Sequence, residues 1–266
     1  MKISVITPSF QQGSFIKETL ESVRTAAANC SSEVEHIIFD GGSTDETVDV
    51  LKAQSFARWF SEKDEGQTHA INKGLRIASG EILCYLCSDD LLEADALERI
   101  ETVFAAEPGT DLVYGDYFFL EGRSGWKRLH QVGKHAREKV LAGKNPLSQP
   151  ATFWRRRVYE TWGGFDESLR FCMDHEYWLR IAPHTSWTYV PAPLASMRMH
   201  SDAKTSSSLI PAWDEAVHML QTHQIPTPFL RRHKMRLGGG AYFRLKRKFF
   251  ETWGCLRPSP GGATPL

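Results

Sequence analysis

Four times in roughly the first 105 residues, a short apolar run gives way to a segment with helical periodicity, with only brief connections between. Two strands can run parallel only if a crossover separates them, so this alternation predicts an α/β fold, a parallel sheet with helices on both faces. The first run, Ile3 to Thr7, is rich in β-branched residues and reads as a buried strand stopped by Pro8. Ser14 is placed to cap the next helix, whose apolar face is Ile16, Leu20, Val23 and Ala27. His36 to Phe39 reads as the second strand, and Ser43-Thr44-Asp45-Glu46 has the form of a capping box opening a helix through Val48 and Leu51. Ala57 to Ser61 and Ile82 to Leu86 supply two more strands, followed by helices from Thr68 to Ala78 and from Ala94 to Ala106.

In such sheets ligands bind beyond the carboxyl ends of the strands. Thr7 to Ser9, Asp40 to Ser43, Glu62 to Gly66 and Ser88 to Asp90 stand there, and acids are concentrated among them. Acids and phosphate repel unless a divalent cation lies between them, so the arrangement predicts a metal. After Pro108 the order changes: Leu112 to Leu120 and Trp126 to Val132 read as strands around a Gly-containing turn, and Ala151 to Trp154 as another. A short helix from Arg157 to Trp162 ends at Gly163-Gly164, and Asp174 opens one with Trp178 and Ile181 inward. Trp187 to Val190 and Leu194 to His200 read as two strands, and Ile210 to His223 as an amphipathic helix.

Composition is that of an ordinary globular chain, 41% hydrophobic and 24% charged. The longest apolar run is Ile82 to Cys87, far short of the roughly 18 residues of a membrane helix. With no leader-like segment ahead of it, the chain is expected in the cytoplasm. Five scattered cysteines fit buried thiols rather than a zinc site, which needs more clustered ligands. The 32 basic and 32 acidic residues cancel, yet nine Lys or Arg and one acid lie from Phe229 onward, leaving +8 there and −8 elsewhere. The domain reading is therefore a catalytic body over 1–224 and a basic amphipathic tail over 225–266, of the kind that lies on an anionic membrane surface. That places the protein on the inner face of the cell membrane, with no nucleic acid expected as partner.

No G-x-G-x-x-G follows the first strand and no G-x-x-x-x-G-K-[ST] occurs, which removes the support for dinucleotide dehydrogenases and P-loop enzymes. The remaining motifs are Val5-Ile6-Thr7-Pro8-Ser9-Phe10, Asp40-Gly41-Gly42-Ser43-Thr44-Asp45, Ala70-Ile71-Asn72-Lys73-Gly74 and Leu86-Cys87-Ser88-Asp89-Asp90. Two later ones are Gln149-Pro150-Ala151-Thr152-Phe153 with Gly163-Gly164-Phe165-Asp166, and Met173-Asp174-His175-Glu176-Tyr177-Trp178-Leu179-Arg180. In order and spacing, over about residues 1 to 205, the chain resembles the inverting nucleotide-sugar glycosyltransferases of family 2, with their single-domain GT-A fold.

The resemblance implies a UDP-sugar donor and a glycan acceptor, lipid-linked or part of a lipopolysaccharide or exopolysaccharide. It puts Asp40 on the uracil imide, an N–H that a carboxylate accepts and that cytosine lacks. Thr7, Pro8 and Ser9 line the base and ribose, with Asp64, Asn72 and Lys73 as further nucleotide contacts. Asp90 is the expected Mn²⁺ or Mg²⁺ ligand, with Asp89 on the ribose and His200 as a second ligand. Asp174 is the expected general base, with Glu176 in reserve, and Gln149 and Arg180 are expected to reach acceptor or diphosphate. Relatives often carry Arg before the Asn of the third block, where this chain has Ile71. Two rival readings are a sugar nucleotidyltransferase, which lacks its Gly-rich loop here, and a binding protein of the same fold without turnover.

Overall fold

The computed structural model describes residues 1–121, 125–200 and 209–227. The expected basic tail, beyond its first three residues, lies outside them. The chain builds β1 (Lys2–Ser9), α1 (Gly13–Ala28), β2 (Glu33–Asp40), α2 (Thr47–Lys52), β3 (Arg58–Ser61), α3 (Gln67–Ile77) and β4 (Ile82–Tyr85). Then follow β5 (Leu91–Leu92), α4 (Ala96–Ala106), β6 (Leu112–Glu121), β7 (Lys127–His130), α5 (Ala136–Leu141) and a 3-10 turn over Gln149–Ala151. The last elements are β8 (Thr152–Arg155), α6 (Arg156–Trp162), α7 (Met173–Ile181), β9 (Trp187–Met199) and α8 (Leu209–Thr222). One sheet runs β3-β2-β1-β4-β8-β6-β9-β5, with β7 paired to β6. The first four strands are parallel, β8 enters antiparallel between β4 and β6, and β9 is again parallel to β6.

Alternation along β2 sends its side chains to two cores. Ile38 meets Ile16 and Leu20 of α1 and Leu51 of α2, whereas Ile37 and Phe39 join the main core with Ile71 and Leu75 of α3. Gly74 is where α3 comes down on β1: a Cβ there would drive into the Ile6 side chain. Under the second half, Trp154, Phe165, Tyr177 and Trp178 form one aromatic cluster, with Trp154 and Trp178 rings 5.4 Å apart and edge-on.

Several boundaries differ from the sequence reading. Pro8 does not stop β1, which runs on to Ser9. Ser9 O accepts the Gly41 N–H on the β2 side, so the proline nitrogen faces the β4 side, where pairing has already ended at Ile6–Tyr85. Ser14 does not cap α1. The backbone amides of Gln12 and Gly13 donate instead to Thr47 Oγ1 and Asp45 Oδ2, 2.9 and 3.0 Å away. Nor does the capping box close on α2: Ser43 Oγ donates to Asp40 Oδ1 and accepts the Gln11 amide. Two expected strands fuse into β9, because register shifts on either side of the Asp116–Pro193 pair absorb Pro191, Ala192 and Leu194. None of Cys30, Cys84, Cys87 and Cys172 is in a disulfide.

His36 sits fully inside the fold, its Nε2 2.8 Å from Thr7 Oγ1, and burial lowers its pKa to about 3. The folded state thus binds this proton less readily than the unfolded chain, whose histidine titrates near 6.5. Stability from this group is complete above that value and is lost as pH falls, by about 2 kcal/mol at pH 5. Urea unfolding of His36→Gln, which keeps an amide for Thr7 but does not titrate, is expected to show a flatter decline between pH 7 and 5 than the parent protein.

Candidate active site

The carboxyl end of β4 carries Cys87, Asp89 and Asp90, whose ligand atoms all lie within 4.8 Å of one another. This turn is held from elements far apart in the chain. Thr19 of α1 donates its hydroxyl to the carbonyls of Ser88 and Asp90, both at 2.9 Å. The Arg198 amide of β9 donates to Asp90 Oδ1 and Gln149 Nε2 to Asp90 Oδ2, each at 2.9 Å. Arg198 also donates from Nε to the Asp89 carbonyl and pairs with Glu18 at 2.6 Å. Asp90 is buried; burial first, then the Asp89 charge, raise its pKa, against the pull of Arg198 and Gln149. Asp89 is more open, and its Oδ2 lies 2.9 Å from His200 Nε2, the imidazole itself packing on Phe15.

A hard dication fits this donor set. Two adjacent carboxylates with one buried positive neighbour, and the Gln149 Oε1 atom buried without a hydrogen-bond partner, leave negative charge that such an ion neutralises. Cys87 was read from the sequence only as a buried thiol. It is instead half-buried at the strand end, with Gln67 and Gln149 amides 3.1 and 3.4 Å from its sulfur. Its place immediately before Ser88-Asp89-Asp90 is the signal that could have found it.

Next to this cluster, β1 and β2 end side by side. Asp40 is buried and accepts three hydrogen bonds, from the Ser43 amide, the Ser43 hydroxyl and, at 2.7 Å, the Ser61 hydroxyl. Thr7 is buried against His36, Pro8 is buried beside it, and the buried Ser9 hydroxyl has no partner. Gly41 backs onto the Asp64 carboxylate, which also accepts the Gly66 amide at 2.8 Å. Lys73 pairs with Glu62 and lies over the Phe39 ring. Asp40, Ser9, Asp64 and Lys73 thus share the β1–β2 edge.

Asn72 does not. Its Nδ2 donates to Phe165 O and Glu167 Oε1, both at 2.8 Å, and its Oδ1 accepts the Phe165 amide at 3.0 Å. A Cβ on Gly164 would strike that Oδ1. The Asn of the third motif and the Gly-Gly-Phe-Asp motif are therefore two halves of one clamp, and both amide hydrogens of Asn72 are spent on it. Arg180 is likewise withdrawn from acceptor or diphosphate. It pairs with Glu176 at 2.9 Å and donates to the carbonyls of Trp162 and Gly164. Glu176, also 3.2 Å from His223 Nε2, is locked in this buried network.

Asp174 lies in the first turn of α7, with Cys172 rather than Asp174 at the N-cap. Its Oδ1 accepts the His175 amide and its Oδ2 the Asn145 side-chain amide at 3.3 Å. The chain leading into α7 is fixed by Glu215 of α8, which accepts the backbone amides of Arg170, Phe171 and Cys172 at 2.6–2.8 Å. Burial works to raise the Glu215 pKa, and those donors outweigh it. The Tyr85 phenol pKa is raised by burial first and then by the Asp174, Cys87 and Asp90 charges. Asn145 holds Asp174 and Gln149 holds Asp90, so one short segment spans both carboxylates.

The chain belongs to glycosyl transferase family 2, whose model matches residues 4–163. It is a glycosyltransferase with a GT-A fold. It is 33% identical over 184 residues to an uncharacterized glycosyltransferase of Mycobacterium tuberculosis (strain ATCC 25618 / H37Rv), covering 68% of each chain. A PGL/p-HBAD biosynthesis glycosyltransferase of Mycobacterium bovis (strain BCG / Pasteur 1173P2) is 31% identical over 185 residues, 66% of this chain and 68% of that one. Among solved structures, S. aureus TarS superposes with a TM-score of 0.63 at 17% identity over 95% of this chain, which spans 47% of that one. A mannosyltransferase of Pyrobaculum calidifontis, in complex with GDP-Man and Mn²⁺, gives 0.63 at 18% identity over 97% of this chain and 76% of that one.

Removing the Asn72 amide strands both the N–H and the C=O of Phe165 inside the fold. Asn72→Ala is expected to lower unfolding free energy by about 2–3 kcal/mol, measured by denaturant melts, since buried polar groups are left without partners.

Proposed function

We propose that this protein is a metal-dependent inverting glycosyltransferase that moves a hexose from a UDP-sugar to a hydroxyl of a lipid-linked, lipopolysaccharide or exopolysaccharide glycan. The observation that carries the reading is that one short segment holds both carboxylates, Gln149 on Asp90 and Asn145 on Asp174. Inverting transfer needs one carboxylate on the acceptor side to take the hydroxyl proton as the new C–O bond forms. Asp174 has that role: it stands in the first turn of α7, its Oδ2 held by the Asn145 side-chain amide.

Asp40, Ser9, Asp64 and Lys73 supply the nucleotide wall at the neighbouring strand ends, with the Ser9 hydroxyl as the polar group still to be satisfied. The ion is assigned to Asp89 and His200, which face each other. Asp90 joins them: each of its oxygens accepts one hydrogen bond and keeps a lone pair for the same ion. Mn²⁺ or Mg²⁺ bound there supplies Lewis-acid neutralisation of the departing diphosphate. The basic segment beyond Phe229 is the part assigned to an anionic membrane surface; no helix of the described residues is long and apolar enough to cross one.

Two measurements test this. Calorimetry with UDP is expected to show binding tightened by Mn²⁺, and Asp89→Ala is expected to remove the metal effect; equal UDP affinity with and without Mn²⁺ in the parent protein contradicts the metal role. Asp174→Asn is expected to keep Mn²⁺-dependent UDP binding and to lose at least about 100-fold in sugar transfer, followed as UDP release by mass spectrometry across a panel of UDP-sugars.

A further inference from the structure

Where the acceptor glycan would rest is marked by a feature that the donor chemistry leaves unused. β8 runs antiparallel to both β4 and β6, with Leu83 opposite Trp154 and Tyr114 opposite Thr152. The residues of β6 beyond Tyr114 therefore extend past the carboxyl end of β4, over the same edge as Cys87 to Asp90. There β7 pairs with β6, Tyr117 opposite His130 and Phe119 opposite Arg128, which puts these four side chains on one face. The next pair outward, Glu121 and Trp126, is joined by a backbone hydrogen bond of 2.9 Å and falls on that face as well.

The side chains form a continuous strip. Ring centroids of Tyr117 and His130 are 4.8 Å apart, those of Tyr117 and Phe119 5.2 Å, and the Arg128 guanidinium lies 5.2 Å from the Phe119 ring centre. Tyr117 is buried at the inner end, Phe119 half-buried, and Trp126 56% exposed at the outer end. Every residue from 125 to 131 is exposed. The strip is also joined to the reacting centre. Met197 of β9 lies opposite Phe119, its sulfur 3.9 Å from Ser148 Oγ, and Ser148 precedes the Gln149 that holds Asp90. The same segment carries Asn145 on Asp174.

We propose that this face is a platform for the sugar rings of an oligosaccharide acceptor. A pyranose presents C–H bonds on one face and hydroxyls around its rim. Flat aromatic rings take the first by dispersion and desolvation, and a planar guanidinium with several donors takes the second. Phe119, His130 and Trp126 along two paired strands repeat that offer over more than one sugar, while Arg128 between them supplies rim donors. Such a platform lets an enzyme hold a growing chain by units behind its reacting end. The proposal rests on the transferase reading for its purpose and on the hairpin for its geometry.

Saturation-transfer NMR with chitohexaose, maltohexaose and mannohexaose tests the platform without any donor. At least one is expected to show ring-proton signals with the full-length protein. Trp126→Ala and Arg128→Ala, both at exposed positions, are expected to weaken that binding about tenfold or more while leaving UDP affinity within twofold. Absence of signal from all three sugars, or signals that neither substitution changes, overturns the proposal. So does loss of cosedimentation with phosphatidylglycerol vesicles in Trp126→Ala with unaltered sugar signals, since the face is then a lipid contact. Glycan binding that depends on Trp126 in a protein that fails to bind UDP supports the platform and counts against the transferase reading instead.

Discussion

Two carboxylates adjacent in sequence, one of them buried, are kept at the end of a central strand, and everything else about the site follows from how that is tolerated. Ligand atoms in this cluster lie within 4.8 Å, where like charges repel by about 3 kcal/mol at an effective dielectric near 20. The fold answers with directed donors rather than with a paired lysine: the Arg198 amide and the Gln149 amide on Asp90, and Arg198 and Thr19 on the turn's carbonyls. Those partners come from α1, the segment before β8, and β9. The turn therefore exists in this form only when both halves of the sheet have assembled, and its residual negative charge is what makes it suited to a cation.

The opposite wall is built by a different device. Asp174 stands at the start of α7, and nothing in α7 alone fixes where that start lies. Glu215 of α8 ties down the three amides leading into it, while Arg180, Glu176 and His223 bind its middle to α6 and to the end of α8. Asn72 then fastens the loop between α6 and α7 to α3. Buried charges so used are costly unless all their hydrogen bonds are made, and here Arg180 is satisfied by a carboxylate and two carbonyls. The Asp174 side of the site is thus positioned by polar contacts, and the Asp40 side by the parallel strands.

Much of this was legible in the order of residues. The four strand–helix alternations follow from periodicity, and the ligand-binding edge follows from the direction of parallel strands, so Asp40, Asp89 and Asp90 could be singled out in advance, while Asp174 came from the family resemblance. What local spacing could not show is polar pairing across the chain. Asn72 binds Phe165, 93 positions away, and a polar side chain carries no record of which distant group it will satisfy. Apolar spacing, by contrast, is set by the local period of helix or strand and is written in neighbouring residues.

By itself, then, the sequence determined the parallel half-sheet, the helices on its faces and the acidic character of the edge, because each depends on local repetition of apolar residues and on strand polarity. Only the tertiary structure decided which polar residues face a ligand and which clamp loops. It placed Asp89 against His200, spent Asn72 and Arg180 on the 162–167 loop, and carried the β6–β7 hairpin out over the catalytic edge. The reason is that hydrogen bonds and charges are satisfied pairwise in space, and those pairs exist only once the chain has closed.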